Sequence, residues 1–173
     1  MARKKKATPM MDTVTMGGFA RIKIMEDGRC VGDSGWRGPN RITQYGIQNF
    51  IADVLAADAG SSLVGYAQLG NGSAPATNSS RLDGSIGDSG SDSYNAVSKS
   101  TLTASNACTA RFYGTFGSSD SFVTKTYNIA NIGLYAATTS DSSLCCGQTY
   151  SSSQVNTNQD VQYTYELRFQ TTA

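Results

Sequence analysis

The run Val161–Gln170, reading VQYTYELRFQ, constrains the fold more than any other stretch. Val161, Tyr163, Tyr165, Leu167 and Phe169 occupy every second position, with Gln162, Thr164, Glu166, Arg168 and Gln170 between them. Successive side chains of a strand point to opposite faces, so this alternation specifies a half-buried strand. A helix would spread the same apolar residues around its circumference. Large aromatics on one face need a thick apolar layer over them, which predicts a strand well inside a sheet.

The rest of the chain reads as what pairs with that strand and covers it. Phe19–Met25 alternates, with Ala20, Ile22 and Ile24 on one side and Arg21 and Lys23 on the other. Asp27-Gly28 carries the tight-hairpin signature, with Cys30-Val31 beginning the return. Further strands are expected over Leu63–Leu69, Tyr94–Ala104, Ala107–Phe116, Phe122–Tyr127, Asn131–Ala137 and Leu144–Tyr150. One amphipathic helix is expected over Ile42–Ala57, because Ile47, Phe50, Ile51, Val54 and Leu55 recur at helical spacing. Thr43 suits its N-cap and Gly60 its C-terminal stop, while Gly46 weakens its first turn. Gly32–Asn40, Gly70–Ser80 and Asp83–Ser93 read as loops, the last being low in complexity and mobile or ordered only by a neighbour. Trp36, the only tryptophan, lies in the first of these, either anchoring the loop on the core or stacking on a ligand.

These elements predict a mainly β chain, an antiparallel β-sandwich of jelly-roll-like type with one amphipathic helix and an extended N-terminal arm. The arm is placed at residues 1–18 and a single sandwich domain at 19–173. Hydrophobic content of 39% and charged content of 16% suit short strands joined by many polar turns. The net charge of +1 is uneven, since Arg3, Lys4, Lys5 and Lys6 leave ten basic against 13 acidic residues in the remainder. This basic tip is either a solubilising terminus or an arm that touches nucleic acid or an acidic patch on a neighbouring subunit. Four charges neutralise about four phosphates, which is weak for one chain and strengthened by many copies in an assembly.

Several chemistries are excluded. The chain has no histidine, which removes Ser-His-Asp and Cys-His arrangements. Glutamate occurs only as Glu26 and Glu166, which disfavours a carboxylate pair for glycoside hydrolysis. Cys30, Cys108, Cys145 and Cys146 form no CxxC pattern and read as small buried hydrophobes. Adjacent Cys145 and Cys146 are expected on opposite faces of a strand, and a disulfide from Cys30 or Cys108 to one of them stays open outside a reducing cytosol. The aspartates stand singly in turns, where they serve turn geometry. No catalytic residue, metal, cofactor or small-molecule substrate is predicted, and the chain reads as non-enzymatic. No apolar run approaches the roughly 18 residues of a membrane span, and no apolar segment follows the basic tip as a signal peptide requires. The expectation is a chain made in the cytosol that stays off membranes.

Four stretches together resemble small structural proteins of tailed phages and related virions. They are GWRGPNRITQYGIQNFIADVLA (Gly35–Ala56), YAQLGNGSAPATNSSRLDGSI (Tyr66–Ile86), YNIANIGLY (Tyr127–Tyr135) and the aromatic last strand. The order is similar to that of tail-fibre, tail-associated and capsid-decorating proteins, while the basic arm is more like capsid proteins. The resemblance implies a many-copy building block, located in the virion after synthesis in the host cytoplasm, whose partners are copies of itself and other virion proteins. Contacts between subunits are expected through the arm Ala2–Gly18 and the loop Gly70–Ser93, with weak nucleic-acid contact through Arg3, Lys4, Lys5 and Lys6. The competing reading is a tail or fibre module that binds a receptor or glycan through exposed aromatics such as Trp36, Tyr45, Tyr66 or Tyr94. A non-viral surface β-sandwich is a further alternative.

Overall fold

The structure of the chain, a computed structural model, describes residues 13–52, 63–86, 94–105, 107–120, 122–136 and 144–172. Two five-stranded antiparallel sheets pack face to face. Sheet A has the order β2 (Arg29–Asp33), β1 (Thr13–Glu26), β10 (Asp160–Thr172), β7 (Ala107–Phe116), β6 (Ser98–Ala104). Sheet B has the order β3 (Arg41–Ile42), β9 (Leu144–Val155), β8 (Tyr127–Tyr135), β4 (Tyr66–Gly70), β5 (Tyr94–Ala96). The predicted sandwich is therefore present.

Its pairing is nested. β1 pairs with β10, β3 with β9, β4 with β8 and β6 with β7, as in a ribbon folded at its middle and rolled up. The two middle pairs share sheet B. β10 sits at the centre of sheet A, as its alternation required. Val161, Tyr163, Tyr165 and Leu167 are buried against Ile129, Ile132, Leu134 and Val155 of sheet B. Each such side chain contributes about 1.5–3 kcal/mol on burial.

Several expected boundaries move. β1 begins at Thr13, so residues 13–18 of the expected arm belong to the sheet, paired with Thr172–Leu167 of β10. Residues 1–12, with Arg3, Lys4, Lys5 and Lys6, lie outside the described residues. Asp27 and Gly28 both have positive φ, 48° and 75°, and close the β1–β2 hairpin as their dipeptide predicts. Phe122–Tyr127 is not a strand. Neighbouring Phe122 and Val123 are both buried, which alternation forbids, and Phe122 packs on Phe116 with ring centroids 5.5 Å apart.

The helix starts later and is less regular than its periodicity suggested. Helix α1 covers Gln44–Ile47 and passes into a π-helical turn at Gln48–Ala52, while residues 53–62 lie outside the described residues. Ile47, one of the expected core positions, is exposed. Thr43 is the N-cap, accepting from the Gly46 amide at 3.0 Å. Gly46 has a packing role, since a Cβ there would lie 2.1 Å from the Cys145 carbonyl oxygen.

The adjacent cysteines are both buried, as small buried hydrophobes would be, but they do not lie on opposite faces of the strand. Leu134 faces Cys146 and Tyr135 faces Leu144, so Cys145 is the extra residue of a β-bulge, and both thiol side chains join the inter-sheet core. Cys30 and Cys108 are exposed and all four thiols are unpaired, so neither the buried role for that pair nor the cross-link is realised.

The outer face of sheet B is covered by residues 71–86. Leu82 packs with Tyr135 and Leu144 in a second apolar cluster. The Asn131 amide donates to the Ser73 and Asp83 carbonyls at 3.1 and 3.0 Å, and the Leu82 amide donates to the Tyr135 hydroxyl at 2.7 Å. The Asp83 carboxylate accepts from the Ser73 amide and hydroxyl. The expected subunit-contact loop is thus held, over these residues, by its own sheet; residues 87–93 lie outside the described set.

Candidate functional site

With sheet B covered, the outer face of sheet A is the surface that carries chemistry. Strand register arranges it in rows. Lys23, Gln162 and Thr115 form one row, Arg21, Thr164, Tyr113 and Ser98 the next, then Phe19, Glu166, Arg111 and Ser100. Arg168 and Thr109 follow. These are the polar positions of the alternating strands, so their residue types were legible in sequence while their alignment depended on strand order.

The centre of the face is an ion-pair triad. Arg111 donates to Glu166 Oε1 through Nε and Nη2 at 2.9 and 2.6 Å, and Arg168 reaches Oε2 through Nε and Nη2 at 2.9 and 2.7 Å. The carboxylate lies beneath its partners, with its side chain 5% exposed against 35% and 39% for the guanidiniums. At the hairpin edge Arg21 makes a two-point pair with Asp33. Hydrogen bonding from Arg21 leads in holding the Asp33 carboxyl at about 2, and Lys23 assists.

Aromatic rings flank these cations. The Arg168 guanidinium lies 4.2 Å from the Phe19 ring centroid and 5.3 Å from that of Trp36. Such contacts suit the flat, weakly hydrated guanidinium. Trp36 is 41% exposed and so does not anchor its loop in the core. Anchoring falls to the backbone, through the mutual Ala20–Arg37 bonds at 2.8 Å and the Asn40 amide donating to Gly18 O at 2.8 Å. Tyr113 is similarly exposed.

Between these groups lies a cleft of about 570 Å³. Arg21, Lys23, Arg111, Trp36 and Tyr113 line it with Ser100, Thr115, Gln162 and Thr164, and none of its lining residues is acidic. Gly114 lies in its lining; on the inner side of the sheet the buried Tyr163 hydroxyl occupies the space a Gly114 Cβ would take and donates to Asn95 at 2.9 Å. The cleft can hold a ligand by charge, hydrogen bonding and stacking. Among the described residues no group of three or more His, Cys, Asp or Glu side chains gathers for a metal, and no helix is long and apolar enough to cross a membrane.

Of the residues singled out in sequence, Trp36 reaches this surface; Tyr66 and Tyr94 pack instead against the cluster on sheet B. Arg21, Lys23, Arg111, Tyr113 and Arg168 were passed over because only register brings them together. No family model, curated protein or solved structure matches the chain.

Proposed function

We propose that this chain is a non-enzymatic structural protein of a virus or phage particle, a shell or decoration component of the capsid that assembles with copies of itself and with other virion proteins. The observation that carries the reading is the pair of open edges on sheet A. Among the described residues no strand pairs with the free edge of β6, and none with β1 ahead of Gly18. Gly18, Ala20 and Ile22 turn backbone groups outward to the 34–40 loop, so by the period of two Val14 and Met16 turn theirs outward as well. Strands alternate in direction across sheet A, so β6 of one copy would run antiparallel to β1 of the next.

Such edges are templates for pairing unless guarded. Each also presents an apolar side chain, Val14 at 63% and Leu102 at 44% exposure. Joining two different edges is a heterologous contact, which builds rings or extended assemblies. The basic residues Arg3, Lys4, Lys5 and Lys6 precede β1 in sequence.

Light scattering tests the reading. The expected result is a multimer that Val14→Pro reduces to a folded monomer, because proline removes an outward N–H and spares the β1–β10 bonds. A monomer at every concentration and salt, or a multimer indifferent to Val14→Pro, would sink it. A second reading, a receptor- or glycan-binding tail module, is favoured by the exposed Trp36 beside the cleft; a neutral glycan that shifts tryptophan fluorescence would support it.

A further inference from the structure

We propose that the cleft on the outer face of sheet A binds single-stranded nucleic acid, with phosphates on Arg21, Lys23 and Arg111 and bases stacked on Trp36 and Tyr113. The inference stands on the cleft and does not depend on self-assembly.

Charge selects the ligand class. Three cations and no acid line the cleft, a polarity that suits an anion and that a neutral sugar does not require. The acids that balance them are set aside. Glu166 lies beneath Arg111 and Arg168, and Asp33, outside the lining, balances Arg21, so the excess positive charge comes from Lys23 and the triad. The triad therefore works as a mount, since one submerged carboxylate orients two guanidiniums toward solvent and leaves them one positive charge in excess.

The rings select the strand form. Sequence-tolerant binding of single strands combines a positive groove with exposed aromatics on which unstacked bases rest. Trp36 and Tyr113 stand 41% and 42% exposed at the cleft. The Arg168 guanidinium lies near both the Phe19 and Trp36 rings, so a base on Trp36 would join an existing cation–aromatic cluster. A duplex hides its base faces, and among the described residues this sheet face offers neither a helix nor a projecting ribbon to enter a groove. Side chains of Ser100, Thr115, Gln162 and Thr164 add hydrogen-bonding groups for sugar or base edges.

Because Trp36 is the only tryptophan, its fluorescence reports on this cleft alone. The test titrates full-length chain with an oligothymidylate of about 12 nucleotides, within the span of one such groove. It is repeated with Arg3, Lys4, Lys5 and Lys6 all changed to Ala, and with Val14→Pro. Quenching that persists in both backgrounds is expected, separating the cleft from the basic tip and from assembly. By anisotropy of a labelled oligonucleotide, Tyr113→Ala should weaken binding on the order of tenfold, as loss of one stacked base does. Lys23→Ala should lower the salt slope by about 0.7. Both side chains are on the sheet surface, and circular dichroism checks the fold. Absence of quenching, binding lost with the basic tip, or affinity indifferent to both cleft variants would overturn the proposal. So would equal quenching by a neutral oligosaccharide without salt dependence, which would reassign the cleft to sugars.

Discussion

A carboxylate with 5% of its side chain exposed is costly unless cations surround it, and Glu166 meets that need with two arginines. Removing its charge leaves two guanidiniums crowded together without a counter-ion. Glu166→Gln should destabilise the fold by about 2 kcal/mol in urea denaturation, less than for a fully buried pair because both arginines are half-exposed. An unchanged midpoint would show that water already screens the triad. Asp33 gives the acid limb of the stability profile. Its folded pKa of about 2 lies below the roughly 3.9 of an unfolded aspartate. The stability from its pair with Arg21 is therefore present above the unfolded pKa and lost as pH falls through the folded one. Asp33→Asn should flatten the loss of stability between about pH 4 and pH 2, followed by thermal melts across that range.

At the scale of elements, two coverings hold sheet B. Helix α1 sits so close on β9 that Gly46→Ala must push the helix off the Cys145 carbonyl. A cost of about 2–3 kcal/mol in urea is expected, of the order of overpacking a tight core. On the outer face, Asn131 holds residues 71–86 through two carbonyls. Asn131→Ala should free that segment, seen as faster limited proteolysis between Asn71 and Ser85 with β-sheet signal retained; an unchanged cleavage rate would mean that the Leu82 cluster alone holds it. These coverings also explain what sequence could tell. Alternation in Phe19–Met25 and Val161–Gln170 read correctly because each strand buries one face uniformly. Leu144–Cys146 did not, because a bulge breaks the period where it was being used. The 70–86 segment reads as a loop by composition, and only Asn131, Leu82 and Tyr135, distant in sequence, show that it is a second layer. The cleft was hidden for the same reason: its cations come from β1 and β7, separated by more than half the chain and aligned through β10.

For the whole molecule, burial sets the alkaline limit. Tyr135, Tyr150, Tyr163 and Tyr165 are held far above the ordinary tyrosine range by loss of hydration. Their stabilising effect is complete below the unfolded value of about 10 and is lost as pH rises beyond it. Tyrosinate absorbance from these four should therefore appear together with loss of β-sheet circular dichroism; ionisation of all nine tyrosines ahead of that loss would contradict it. The nested pairing reaches further, into synthesis. Thr13 meets Thr172, and β10 leaves the ribosome after every other described strand. Until then β1 and β7 have no strand between them, and neither the cleft nor a correctly oriented β1 edge exists. Non-local pairing of this kind folds slowly. Under the proposed self-assembly this order sets the timing: nascent chains crowded on one messenger would lack a finished edge with which to join each other until the sheet is complete.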